Sequence, residues 1–301
     1  MKRLAVSVVV LLALGACSSS VSSGPVASEP SPSPEVGPSV LDGSESYDFE
    51  APIPQGHRPV ATELQKVTQA LKRCIRSWVD SGMAPGPDAR PVLLRAIRQQ
   101  RIYRYFLDHP RTFRYARAFL PPRLETFARN TVAAGSRLRS LVTPLDDPPD
   151  WEIHKPTPAR ELLRYYKKAG RRFDIQWQTL ASLNFVESRF GRILGPSSAG
   201  AMGPMQFMPA TWAAYGNGGD INDPHDSIMG AARYLAASGA PERMTDALFA
   251  YNRSTDYVKA IQIYATQMTH HPYAFPAYYH WQVYVLTKDG DLQLSGPGAD
   301  V

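Results

Sequence analysis

From residue 60 to about residue 265, apolar residues recur every three or four positions, in short blocks that Pro and Gly interrupt. That period predicts helices, and the interruptions predict many short ones. Leu64, Val67, Leu71 and Ile75 share one face of a helix expected over 60–82. A Pro/Gly turn follows over 83–91, then a helix over 92–107. Asp108-His109-Pro110 can cap a third, which stops at Leu120-Pro121-Pro122. A fourth, from Arg123 to about Val142, carries Leu124, Phe127, Thr131, Ala134, Leu138 and Leu141 at helical spacing. Thr157-Pro158 opens a helix to about Arg172, and a long apolar segment from Ile175 to Glu187 follows, with Asp174 to cap its start and Gly191 its end. Further helices are expected over 210–215, over 227–238 (capped by Asp226, stopped by Gly239), from Pro241 through Tyr251, and after Ser254. The last thirty residues begin aromatic-rich and finish as a Gly-rich tail. The expected fold class is all-α, without internal repeats.

The first 56 residues do not fit that pattern. Lys2-Arg3 is followed by an apolar run, Leu4 to Ala16, too short to span a bilayer comfortably. Residues 18 to about 56 are rich in Ser, Pro, Gly, Val and Glu, a composition that cannot bury enough to fold and reads as a semi-extended spacer. Between them, Leu14-Gly15-Ala16-Cys17 resembles a bacterial lipobox. The resemblance implies export, cleavage before Cys17 and acylation of Cys17, which would tether the protein to a membrane of the cell envelope. Cys74 is then the remaining cysteine, so no intrachain disulfide is expected.

The formal charge is +6, unevenly spread. Arg90 to Arg139 holds twelve Arg and no Lys against Asp108 and Glu125, a local charge of +10. Export argues against nucleic acid. Two readings stay open: contact with an anionic wall polymer or lipid, or solvated helix faces with internal ion pairs.

Glu187 is the candidate for chemistry. Leu180, Leu183, Asn184 and Glu187 share a face of their helix, and a carboxyl group on a buried stripe is costly without a partner or a task. Burial raises its pKa, so it can remain protonated near neutral pH and donate to a leaving group. The plain alternative is a helix-end carboxylate turned to water. Several other chemistries lack their pattern. Gly195 to Gly200 has the wrong spacing for a nucleophile elbow, and Gly216-Asn-Gly-Gly219 lacks the strand of a dinucleotide loop. Asp220-Ile-Asn-Asp223 lacks the Gly and closing Glu of a calcium loop and reads as a helix-capping turn, and the His residues show no metal spacing. No metal or other cofactor is expected.

Downstream of Glu187-Ser188 come Gly203-Pro204-Met205-Gln206 and Ala250-Tyr251-Asn252. With these three motifs in order, the sequence resembles lytic transglycosylases whose catalytic domain is like goose-type lysozyme. Pro204 stands where that family usually has Leu. Ala199 to Pro209 is also similar to the membrane-bound B-type lytic murein transglycosylases. The resemblance covers about 157–268. With the lipobox, composition and charge, the chain divides into an expected signal peptide (1–16), a lipidated Cys and linker (17–56), a basic helical region (57–150), a lysozyme-like catalytic domain (151–285), which the resemblance implies, and a tail (286–301). The resemblance to lytic transglycosylases implies that Glu187 acts as both acid and base on the N-acetylmuramic acid–N-acetylglucosamine bond of peptidoglycan, closing a 1,6-anhydro ring. Ser188, Gly203, Met205, Gln206, Phe207, Tyr251 and Asn252 would line or order the substrate site. Without the resemblance, Gln206 is a side chain bonding nearby backbone, Asn252 a helix C-cap, and Trp212, Tyr215 and Tyr257 core residues that could also stack on sugars. A Tyr251 hydroxyl on an apolar stripe needs a partner, for which Glu187 or the sugar is a candidate. The rival functions are a muramidase with water as acceptor, which needs a second carboxylate, and a non-catalytic wall-binding lipoprotein.

Overall fold

The computed structural model describes residues 47–294 and 296. The expected signal peptide, Cys17 and most of the expected linker lie outside them. Eleven α-helices and one hairpin are present among the described residues. The first four helices are α1 (His57–Asp80), α2 (Arg90–Asp108), α3 (Pro110–Ala116) and α4 (Pro122–Arg139). They lie close to their expected bounds, because Pro sits in the first turn of α2, α3 and α4, where its missing N–H costs nothing. Among the described residues, no helix is long and apolar enough to cross a membrane.

The second half holds α5 (Ala159–Phe173), α6 (Trp177–Ser188), α7 (Pro209–Tyr215), α8 (Pro224–Ala237), α9 (Met244–Tyr251), α10 (Thr255–His270) and α11 (Ala274–Tyr279). Three caps differ from expectation. Asp174 ends α5 in the left-handed conformation rather than starting α6. Arg189, not Gly191, is the left-handed C-cap of α6. Asp223 caps α8 by accepting from the Asp226 N–H, so that helix begins at Pro224, three residues early. Ser254 does cap α10, accepting from Tyr257 N. The α5–α6 corner is tight: a Cβ on Gly170 would stand 2.4 Å from the Ile175 carbonyl oxygen. Gly is required there by close backbone approach.

One continuous apolar core runs through both halves, from Val60, Leu64 and Trp78 of α1 to Tyr278 and Trp281. Helix α10 packs on both α4 and α6, and α11 on both α2 and α6. Buried amides stitch the halves together. Gln267 of α10 donates to Phe127 O (2.9 Å) and Thr131 Oγ1 (3.0 Å) of α4 and accepts from Tyr278 (2.8 Å). Gln100 of α2 makes a two-way bond with the Gln282 backbone, donating to its carbonyl (2.9 Å) and accepting from its N–H (2.8 Å).

The end of the chain departs from the expected tail. Residues Tyr284–Thr287 (β1) and Gly290–Gln293 (β2) form an antiparallel hairpin. It is tied back to the connection after α4, where Leu145 N–H donates to Leu286 O and Lys288 N–H to Leu145 O, each at 2.9 Å. Val283, Val285 and Leu294 pack with Leu145, Ile153 and Ile193 in a small second core.

The arginine-rich segment turns much of its charge inward. Arg98 is buried, paired with Glu63 at 3.0 Å and bonded to the Ala51 and Pro52 carbonyls. Arg101 reaches Phe49 and Ala51 carbonyls, and Arg95 lies over the Tyr47 ring at 4.7 Å. These three hold the segment entering α1. Arg117 and Arg129 pair with Glu125, and Arg137 with Asp256.

Candidate active site

Helix α6 is buried nearly all round rather than along one stripe, from Thr179 to Phe185 and again at Glu187 and Ser188. It runs through the core with α5 and α10 against it. Glu187, 7% exposed, therefore carries its carboxyl group into an almost water-free setting. Burial raises its pKa from the ordinary 4.5 to about 8, and the hydrogen bond from Tyr257 offsets part of that rise. Tyr257, in the first turn of α10, donates its hydroxyl to Glu187 Oε1. Near neutral pH the group is mostly protonated and can act as an acid.

The Glu187 carboxyl borders a cavity of about 170 Å³. Its walls come from α2, α4, the end of α6, α10 and the hairpin, and include Tyr257, Arg104, Arg139, Trp281 and Asp291. Gly203, Met205, Gln206, Phe207, Tyr251 and Asn252 are not among its lining residues.

Several of those motif residues are seen to hold the Gly-rich loop. Three successive carbonyls of the Gly-rich loop are each held by a side chain. Gln206 Nε2 donates to Gly203 O at 3.0 Å. Pro204 O accepts from Ser188 Oγ and from Asn184 Nδ2, both at 2.6 Å. Met205 O accepts from the Tyr251 hydroxyl at 2.6 Å. Ser188 Oγ also accepts from Gly191 N–H at 2.9 Å, and Tyr166 donates to Asn184 Oδ1 at 2.5 Å. The loop folds back on itself through paired Met202 and Phe207 bonds, each 2.9 Å. Gly203 has φ +74°, and a Cβ there would be 2.0 Å from Ile221 O, so its close neighbour is protein backbone. Met205 is fully buried, and Phe207 packs between Trp212 and Tyr251. Asn252 does sit at the C-cap of α9; it is buried, and its Oδ1 has no hydrogen-bond partner. Tyr215 packs edge-on against Tyr234.

Helical spacing puts the Glu187 carboxyl on a buried face, where it is found, and does not reveal its partner. Of the two partners open to the Tyr251 hydroxyl, Glu187 is taken by Tyr257 instead, and Tyr251 donates to Met205 O. Arg104, Arg139 and Asp291 were not singled out at all. No local signal marks them, since each reaches the cavity from an element far away in sequence. The loop after Gly219 does act as a capping turn: Asp226 Oδ2 accepts from Asp220 N–H at 3.1 Å. Asp223, His225 and Asp226 nevertheless bring ligand-type atoms within 4.8 Å of one another at the surface.

Residues 164–268 match the family model for the transglycosylase SLT domain. That segment is similar to an SLT-type domain. It holds Glu187, Ser188, the Gly-rich loop, Tyr251 and Tyr257, and it covers roughly a third of the chain. The SLT domain is a lysozyme-like all-helical fold, in keeping with the helices seen here, and it supports a peptidoglycan lytic-transglycosylase type of activity. No curated protein and no solved structure matches the chain significantly.

Proposed function

We propose that this protein is an envelope-anchored lytic transglycosylase that cleaves the β-1,4 bond between N-acetylmuramic acid and N-acetylglucosamine. The observation that carries this reading is the Glu187 carboxyl, buried, raised to a pKa of about 8 and bonded by Tyr257 at a cavity wall. Protonated Glu187 gives its proton to the glycosidic oxygen as the bond from the muramic C1 breaks. The sugar's own acetamido oxygen supports the positive charge that develops at C1. The C6 hydroxyl then attacks C1, its proton returns to Glu187, and a 1,6-anhydro ring closes without water. General acid–base work of this kind contributes roughly a hundred- to ten-thousand-fold. Glu187→Gln should abolish cleavage of purified peptidoglycan while the protein stays folded; activity near wild type would overturn the assignment. Export and acylation of Cys17 complete the proposal. Cys17→Ala should release the protein from membranes, and continued sedimentation with them would remove the anchor.

Hydrolysis is the second reading, favoured by one feature: the Asp291 carboxylate borders the same cavity. Its Oδ1 is 2.5 Å from Arg104 Nη2 and 3.7 Å from Arg139 Nη2, which holds it as an ion-pair partner rather than a free base for water.

A further inference from the structure

The cavity beside Glu187 is cationic for a reason separate from acid catalysis. Arg104 comes from α2, Arg139 from the last turn of α4 and Asp291 from β2, all outside the segment that the SLT domain covers. Arg189, also on the wall, adds a third guanidinium. Asp291 and Asp108, which pairs with Arg139 at 2.6 Å, leave one positive charge in surplus while Glu187 is protonated. Asp291 shows what the arginine pair accepts: a carboxylate of this chain already sits between them. It sits imperfectly, at 2.5 and 3.7 Å, and both its oxygens lack a well-aligned hydrogen bond. Arg104 Nε, buried, has no partner, although the guanidinium is fixed over the Tyr284 ring at 4.2 Å. Arg104, with a spare Nε and its guanidinium fixed over Tyr284, and Arg139, whose Nη2 stands 3.7 Å from the carboxylate now between them, are suited to a planar carboxylate. The cavity offers on the order of ten times the space one water needs.

We propose that Arg104 and Arg139 form a subsite for a carboxylate of the peptide substituent on the muramic sugar, which displaces Asp291 when the substrate binds. The subsite selects glycan strands that still carry acidic peptide over bare ones, and it does so through the region in front of the SLT-type domain. The proposal rests on the reading of Glu187 as the acid that cleaves peptidoglycan.

The test uses full-length Glu187→Gln protein, which cannot turn over, and two soluble probes. One is a disaccharide bearing an acidic peptide; the other is the same molecule with its peptide carboxylates amidated. Calorimetry should show the acidic probe binding at least about tenfold tighter, with that preference lost in an added Arg104→Gln change. Asp291→Asn, which removes the internal competitor, should tighten the acidic probe severalfold and leave the amidated probe unchanged. Equal binding of the two probes, binding of neither, or a preference that survives Arg104→Gln would overturn the subsite. If Arg104→Gln does not fold, the Asp291→Asn comparison decides alone. Failure of wild-type protein to cleave peptidoglycan would instead remove the reading of Glu187 and leave the probe preference as measured.

Discussion

Ionising Glu187 places a charge in a buried site beside the Tyr257 hydroxyl, and that has consequences for stability as well as for rate. With a pKa near 8 against an ordinary 4.5, the folded protein keeps a proton that the unfolded chain has released between those values. Stability from this group is therefore complete below about pH 4.5 and falls as pH rises toward 8. Glu187→Gln removes that loss. The variant should be more stable than wild type by roughly 3 kcal/mol at pH 7, with no gain at pH 4. Urea unfolding at the two pH values checks this, and an equal gain at both would contradict it. Tyr257→Phe deletes the bond that lowers the Glu187 pKa. The alkaline limb of the pH–rate profile, where the acid loses its proton, should move above about 8, and turnover should fall on the order of tenfold. An unmoved limb would mean that the bond does not govern the acid.

The Gly-rich loop shows what an element's sequence reveals and what it hides. Apolar spacing shows that Glu187 ends a buried helix, and the glycines show that a tight turn follows at Gly203. The partners were not legible. Ser188 meets Pro204 across sixteen residues, Tyr251 meets Met205 across forty-six, and Tyr257 meets Glu187 across seventy. Helical periodicity says which face is buried but not which carbonyl lies opposite. Ser188, Gln206 and Tyr251, substrate-site residues by resemblance, also clamp the loop's carbonyls, which periodicity could not show. Two glycines separate packing from backbone strain. Both have positive φ, but a Cβ at Gly200 meets nothing within 4 Å, whereas one at Gly203 strikes Ile221 O. Gly200→Ala should cost about 1 kcal/mol and Gly203→Ala well over 2 kcal/mol in denaturant unfolding. Equal costs would mean that the loop yields easily at Ile221.

At the scale of the molecule, the helices were readable from Pro, Gly and apolar spacing, but their assembly was not. The helical region over 57–150 carries no catalytic motif, and its stretch from Arg90 to Arg139 has a charge of +10, so the sequence reads it as a separate basic module. Folding turns Arg98, Arg101, Arg104 and Arg139 onto carbonyls and acids, and α1, α2 and α4 bury faces of α10 and α11. A protein cut to 151–301 would expose those faces. It should lack a cooperative thermal transition, and a transition matching that of the full chain would show that the halves fold independently. The hairpin was missed because a four-residue strand beside Gly290 gives little alternation to read. The whole molecule meets its proposed polymer in one decisive measurement: mass spectrometry of the products from purified peptidoglycan. Muropeptides ending in 1,6-anhydromuramic acid, one water lighter than reducing ends and absent with Glu187→Gln, are the predicted result. Reducing-end muramic acid would contradict it, making water the acceptor and turning attention to Asp291.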